Sequence, residues 1–189
     1  DLIQVLELEA VTQFPSEERR KESSVQSPEE DALLTMKNLE LTSDFYQNIL
    51  GRNSWDGKGS RISALLLPFS SDQASSNGGE YLAFTPGGKT YSSGTGTALD
   101  LVAHEFAHSV MFAQGTFAEN ATASLFADTA YGNAISEGYA DVLGNLTEAY
   151  YDPDSLENWD LGEDAGHSKY SMKDPTASLI PDSKKKDRK

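Results

Sequence analysis

Ala98-Leu99-Asp100-Leu101-Val102-Ala103-His104-Glu105-Phe106-Ala107-His108-Ser109-Val110 places two of the chain's three histidines four residues apart around a glutamate. Ala98, Leu101, Val102, Phe106 and Val110 recur at helical spacing and Gly115 stands where a helix would stop, so the stretch predicts a helix over residues 97–114. Residues i and i+4 stack on one helix face, which lets both imidazoles reach a single ion. Glu105 lies about 100° round the axis, placed to accept a proton from a ligand of that ion. Neutral imidazoles suit Zn²⁺, and a carboxylate that stays off the metal suits the general base of metal-assisted hydrolysis, the HExxH spacing of a metalloprotease. A closed structural zinc is the competing reading of the same residues.

The third ligand separates the possibilities. An extended HExxHxxGxxH pattern needs glycine at position 111 and histidine at 114, where Met111 and Gln114 stand. Ser136-Glu137-Gly138-Tyr139-Ala140-Asp141 instead offers two carboxylates one turn apart, on a helix predicted over residues 133–151. Glu137 completes a His₂Glu set with an open fourth position, and Asp141 is placed to hydrogen-bond the distal nitrogen of His104. The competing reading is a solvated acidic face. Ile135, Val142, Leu143, Leu146 and Tyr150 fall at helical spacing on this second helix.

Outward from the two helices the chain is mixed. Residues 1–12 alternate too irregularly to choose between strand and helix, and residues 13–31 form a charged, Ser/Pro-containing run read as a mobile acidic linker. Thr42-Ser43-Asp44 reads as the cap of a helix carrying Phe45, Tyr46, Ile49 and Leu50 before Gly51. Strands are expected over residues 62–69 and 81–85, separated by a polar loop at 70–80. The expected class is α+β, a small strand-containing N-terminal half packed on a helical half that carries the HExxH helix and the third-ligand helix.

Composition sets bounds on this reading. The 189 residues carry 15 Lys+Arg against 30 Asp+Glu, a formal charge of −15, which argues against nucleic-acid binding. The basic tail Lys184-Lys185-Lys186-Asp187-Arg188-Lys189 leaves residues 1–183 at −19. Bound cations are one means of offsetting such self-repulsion. There is no cysteine, hence no disulfide and no zinc-thiolate site. No run is long enough to span a membrane, and the start at Asp1 shows neither a signal peptide nor an initiator Met, as in a processed product or a fragment.

From Ser43 to Pro175 the chain resembles the catalytic half of the thermolysin family of neutral zinc metalloproteases. The likeness rests on Phe45-Tyr46-Gln47-Asn48, on Asn53-Ser54-Trp55-Asp56-Gly57, and on the two helical stretches already quoted. Trp159-Asp160-Leu161-Gly162-Glu163-Asp164 and Ser171-Met172-Lys173-Asp174-Pro175 continue it in the same order. The resemblance implies a zincin-like fold, zinc on His104, His108 and Glu137, and Glu105 as the base that activates water. It further implies a Ca²⁺ site on Asp100, Glu148, Asp160 and Glu163, peptide or protein substrates, and a secreted or extracellular location. A substrate-binding edge strand maps onto Gln73-Ala74-Ser75-Ser76, with Ala74 at its centre. Domain limits follow as an N-terminal segment and linker at 1–31, the protease domain at 32–183, and a basic tail at 184–189.

Three positions depart from the family pattern. Tyr170, beside Lys169, stands where the family has an oxyanion-stabilising arginine. Gln73 and Ser75 flank Ala74 where asparagine and an aromatic residue are usual. A histidine from a C-terminal helical domain has no counterpart, since His167 precedes the Ser-Met segment. The expected activity is zinc-dependent endopeptidase cleavage; the alternative is a zinc- and calcium-binding domain with little activity in isolation.

Overall fold

The computed structural model describes residues 3–7, 28–79, 81–115, 130–157, 159–166 and 171–173. Three long helices, α1 (Pro28–Asn48), α2 (Leu99–Ala113) and α3 (Ala130–Tyr151), accompany four short strands, β1 (Ile3–Glu7), β2 (Ile62–Leu66), β3 (Ala74–Ser76) and β4 (Leu82–Phe84). The strands form one sheet in the order β1-β2-β4-β3. β1 and β4 flank β2 in parallel, with Ile3 opposite Ile62 and Ala64 opposite Leu82. β3 runs antiparallel to β4, with Ser75 opposite Ala83, and forms one edge of the sheet. Among the described residues no helix is long and apolar enough to cross a membrane.

The α+β class holds, and α2 matches its expected limits closely, with Ala98, Leu101, Val102, Phe106 and Val110 all buried. Leu39, Phe45 and Tyr46 of α1, Ile62 and Phe84 of the sheet, and Val102, Phe106 and Leu143 of the helices close one apolar core. Tyr46 meets Phe106 edge-on at 4.8 Å. Asn38 of α1 donates from Nδ2 to the carbonyls of Gly96 and Thr97, at 3.1 and 2.9 Å, and so pins the turn that launches α2.

Two local expectations are corrected. α1 does not begin at a Thr42–Asp44 cap but runs unbroken from Pro28, so the linker-domain boundary drawn after residue 31 falls inside its first turns. Thr35 and Thr42 turn their hydroxyls onto the carbonyls of Asp31 and Asn38, both at 2.7 Å, inside the helix. The acidic run Glu29-Glu30-Asp31 sits in the first turn, where the helix dipole favours negative charge. The expected polar loop at 70–80 contains β3. Of the linker, residues 13–27 lie outside the described residues, as do the basic tail and most of the loop between α2 and α3.

The sequence places apolar residues along α3 at helical spacing. Of its spaced apolar residues only Leu143 is buried, while Ile135, Tyr139, Val142, Leu146 and Tyr150 form an exposed stripe. α3 turns Ala140, Asp141, Gly144, Asn145 and Glu148 inward instead. A Cβ on Gly144 would lie 2.6 Å from the Asp100 carbonyl oxygen, so the missing side chain is what lets α3 close onto α2.

Candidate active site

The closeness of α2 and α3 brings the two sequence motifs face to face. His108 Nε2 lies 3.0 Å from His104 Nε2, and the two carboxylate oxygens of Glu137 lie 3.4 Å from His104 Nε2 and from His108 Nε2. Three donors bound at 2.0–2.1 Å to one tetrahedral ion would stand about 3.3–3.4 Å apart. The spacing and the donor chemistry therefore fit a zinc ion.

The partners behind these donors set their orientation. His104 Nδ1 lies 2.9 Å from Asp141 Oδ1, as the spacing on α3 suggested. His108 Nδ1 lies 3.1 Å from Ser136 Oγ, a contact that sequence reasoning missed although Ser136 immediately precedes Glu137. With one ring nitrogen occupied on each side, both imidazoles present Nε2 to the shared point. Burial lowers the pKa of His104, but hydrogen bonds to Asp141 and Glu137 and the charge of Glu105 outweigh it and carry the group up to about 9. Hydrogen bonds from His104 and His108 hold the Glu137 carboxyl far below the ordinary range. This site attracts positive charge, whether protons or a metal. Glu105 is 8% exposed and lines the same cleft.

The cleft encloses about 520 Å³ between α2, α3 and β3. Ala74 lies on β3 facing it, half-buried, so the residue expected in a substrate-binding strand does sit on an edge strand of the sheet. Ser76 Oγ and Ser109 Oγ are 2.7 Å apart and tie that strand to α2, one residue after His108. At the other end Asp72 accepts backbone N–H bonds from Lys89, Thr90 and Tyr91 at 2.9–3.0 Å, which holds its carboxyl below the ordinary range despite partial burial.

A second cluster lies one turn before His104. Carboxylate oxygens of Asp100, Glu148 and Glu163 fall within 4.8 Å of one another. Asp100 is fully buried and accepts N–H bonds from Leu101 and Gly162. Glu148 is 6% exposed, and its Oε2 has no hydrogen-bond partner among the described residues. Burial raises Asp100 to about 7, helped by the charge of Glu163, and raises Glu148 to about 9, helped by the charges of Asp100 and Glu163. An all-oxygen set with an orphaned buried carboxylate oxygen fits a hard cation such as Ca²⁺. Asp160, expected in this set, is not in the cluster; its backbone bridges to Ser171. Tyr170, Lys169 and His167 lie outside the described residues.

The chain is similar to known metallopeptidases. The model of the thermolysin metallopeptidase catalytic domain matches residues 7–112. Bacillolysin of Bacillus caldolyticus is 32% identical over 146 residues, covering 74% of this chain and 25% of that protein. Thermolysin of Alicyclobacillus acidocaldarius subsp. acidocaldarius is 32% identical over 146 residues, covering 74% of this chain and 24% of its own length. The chain thus spans about a quarter of these curated relatives. Among solved structures, the precursor of protealysin, a metalloproteinase from Serratia proteamaculans, superposes with a TM-score of 0.57 at 23% identity. That match covers 80% of this chain and 44% of the other.

Proposed function

Because the chain belongs to the thermolysin family of metallopeptidases, we propose that it is the metal-binding half of a zinc endopeptidase, with His104, His108 and Glu137 as ligands and Glu105 as general base. The convergence of the two imidazole Nε2 atoms and the Glu137 carboxylate on one point carries this reading. It extends to Glu137, which lies beyond the residues matched by the family model.

Zinc, when bound, supplies a Lewis acid that polarises a carbonyl and acidifies water. The chain's own residues do the rest. A peptide lies along β3, whose open edge offers backbone hydrogen bonds with little demand on side chains. Glu105 accepts the proton of the attacking water and returns it to the leaving amine. Asp141 and Ser136 hold the two imidazoles in the tautomers that aim Nε2 at the metal. Asp100, Glu148 and Glu163 hold calcium, clamping the start of α2 to the far half of α3. The apolar stripe on α3 supports covering by a further helical domain in the working protein.

The test pairs metal content with chelator-sensitive peptide cleavage in wild type and Glu105→Gln. Zinc in both, with cleavage only in wild type, is the expected result. Zinc without cleavage in either indicates the metal-binding alternative, and absence of zinc refutes both.

A further inference from the structure

His104, His108 and Phe112 are spaced i, i+4 and i+8 on α2, so one face of the helix carries both imidazoles and then an aromatic ring. Four residues of helix advance about 6 Å, and an extended peptide covers that distance in about two residues. Phe112 lines the cleft and remains 45% exposed, an unusual position for a phenylalanine next to a polar site. Its ring rests on bare backbone at Gly78, where φ is +57° and a Cβ would stand 2.9 Å from the ring. The rest of the cleft lining mixes small polar residues, Ser75, Ser76, Asn133 and Ser136 among them, with the apolar Leu101 and Leu161. The Ser76–Ser109 bond and the Gly78–Phe112 contact show that the chain through β3 runs beside α2 in the same direction. A peptide laid along β3 therefore passes over the zinc donors and then over the ring.

We propose that Phe112 is a specificity-determining residue. Its ring, seated on Gly78, is the wall of a subsite that receives a bulky apolar side chain of the bound peptide, about two residues from the bond held at the zinc donors. The ring is 45% exposed, so burying it against a substrate side chain is a hydrophobic gain. Ser75 and Ser76 leave room for that side chain. The inference rests on the peptide-cleft reading above.

The experiment measures binding rather than turnover, so it can succeed or fail independently of that reading. Labelled peptides identical except for glycine or phenylalanine at the second residue on either side of a central bond are titrated against zinc-loaded Glu105→Gln protein, by fluorescence anisotropy. In one of the two placements the phenylalanine peptide should bind about tenfold more tightly than the glycine peptide. Adding Phe112→Ala should bring that ratio within about twofold, and Phe112→Leu should leave it between the two. A purely structural role would weaken both peptides together and leave the ratio unchanged; that outcome, or no preference in the parent, overturns the proposal. Thermal melts of each variant check that the fold is retained. If the ratio behaves as expected but wild type cleaves nothing, the endopeptidase reading fails while the subsite stands.

Discussion

Removing calcium from the Asp100-Glu148-Glu163 cluster should lower the melting temperature by a predictable amount. At separations up to 4.8 Å, two unit charges repel by about 3 kcal/mol or more at an effective dielectric of about 20. Three ionised carboxylates would together oppose folding by an amount comparable to the whole stability of a domain. Without a cation the cluster must relieve this by retaining protons, and both Asp100 and Glu148 are indeed pushed up by their burial. With calcium at 100 times its dissociation constant, binding to the folded state adds about 2.7 kcal/mol. A chain of this size shifts by about 2–4 °C per kcal/mol, so the expected rise is about 5–11 °C. The assay is a thermal melt by circular dichroism at pH 7.5, in excess chelator and then across a calcium titration, with zinc held saturating by a calcium-insensitive buffer. Glu148→Gln sharpens the test because it reverses sign with conditions. It removes a carboxyl that must take up a proton to be buried without a cation, raising the midpoint of the calcium-free protein, and deletes a ligand, shrinking the calcium-induced rise by more than half. Equal midpoints with and without calcium, or a full calcium shift in Glu148→Gln, would refute the cluster as a cation site.

Gly144→Ala should destabilise the protein by about 1–3 kcal/mol through overpacking, despite alanine's better helix propensity, because its Cβ would meet the Asp100 carbonyl oxygen at 2.6 Å; chemical denaturation measures the loss. Asp141→Asn should weaken zinc affinity by about 10–100-fold in a competitive chelator titration, since an amide cannot hold the His104 ring as the carboxylate does. Asp72 has a folded pKa below its ordinary value, so its contribution is present above the unfolded pKa and lost as pH falls through the folded one. Asp72→Asn should therefore destabilise by about 1–2 kcal/mol at pH 7 and by progressively less toward pH 3, read from denaturant midpoints across that range.

Much of the site was legible because its chemistry is local. The HExxH spacing is set by one helical turn, and any stable helix through residues 99–113 stacks His104 on His108 whatever surrounds it. Glu137 and Asp141 could be read on the same principle, one turn apart on a second helix. Hydrophobic spacing marked α3 as a helix but did not say which face packs inward, and Ile135, Val142, Leu146 and Tyr150 stay exposed. The helix instead buries its acidic and small-residue face, because Asp141 and Glu148 have partners on α2 and Gly144 permits the closest approach. The same limit hid the start of α1: Thr42 satisfies its hydroxyl on a carbonyl four residues back, so a residue that resembles a cap serves as helix interior.

The amino-acid sequence by itself determined the residue types and intra-helical spacings of the donors, the absence of thiol chemistry, and the acidic excess. Only the tertiary structure decided which carboxylates meet. Asp100, Glu148 and Glu163 are separated by many residues and become a cluster through the crossing of α2, α3 and the turn at 163–165, whereas Asp160, three residues from Glu163, is left out of it. The same holds for Ser136 on His108, Ser76 on Ser109, and Phe112 on Gly78. Periodicity along a chain specifies what one element presents on its face; the distance and register between two elements depend on packing, and here on glycines that leave room for it.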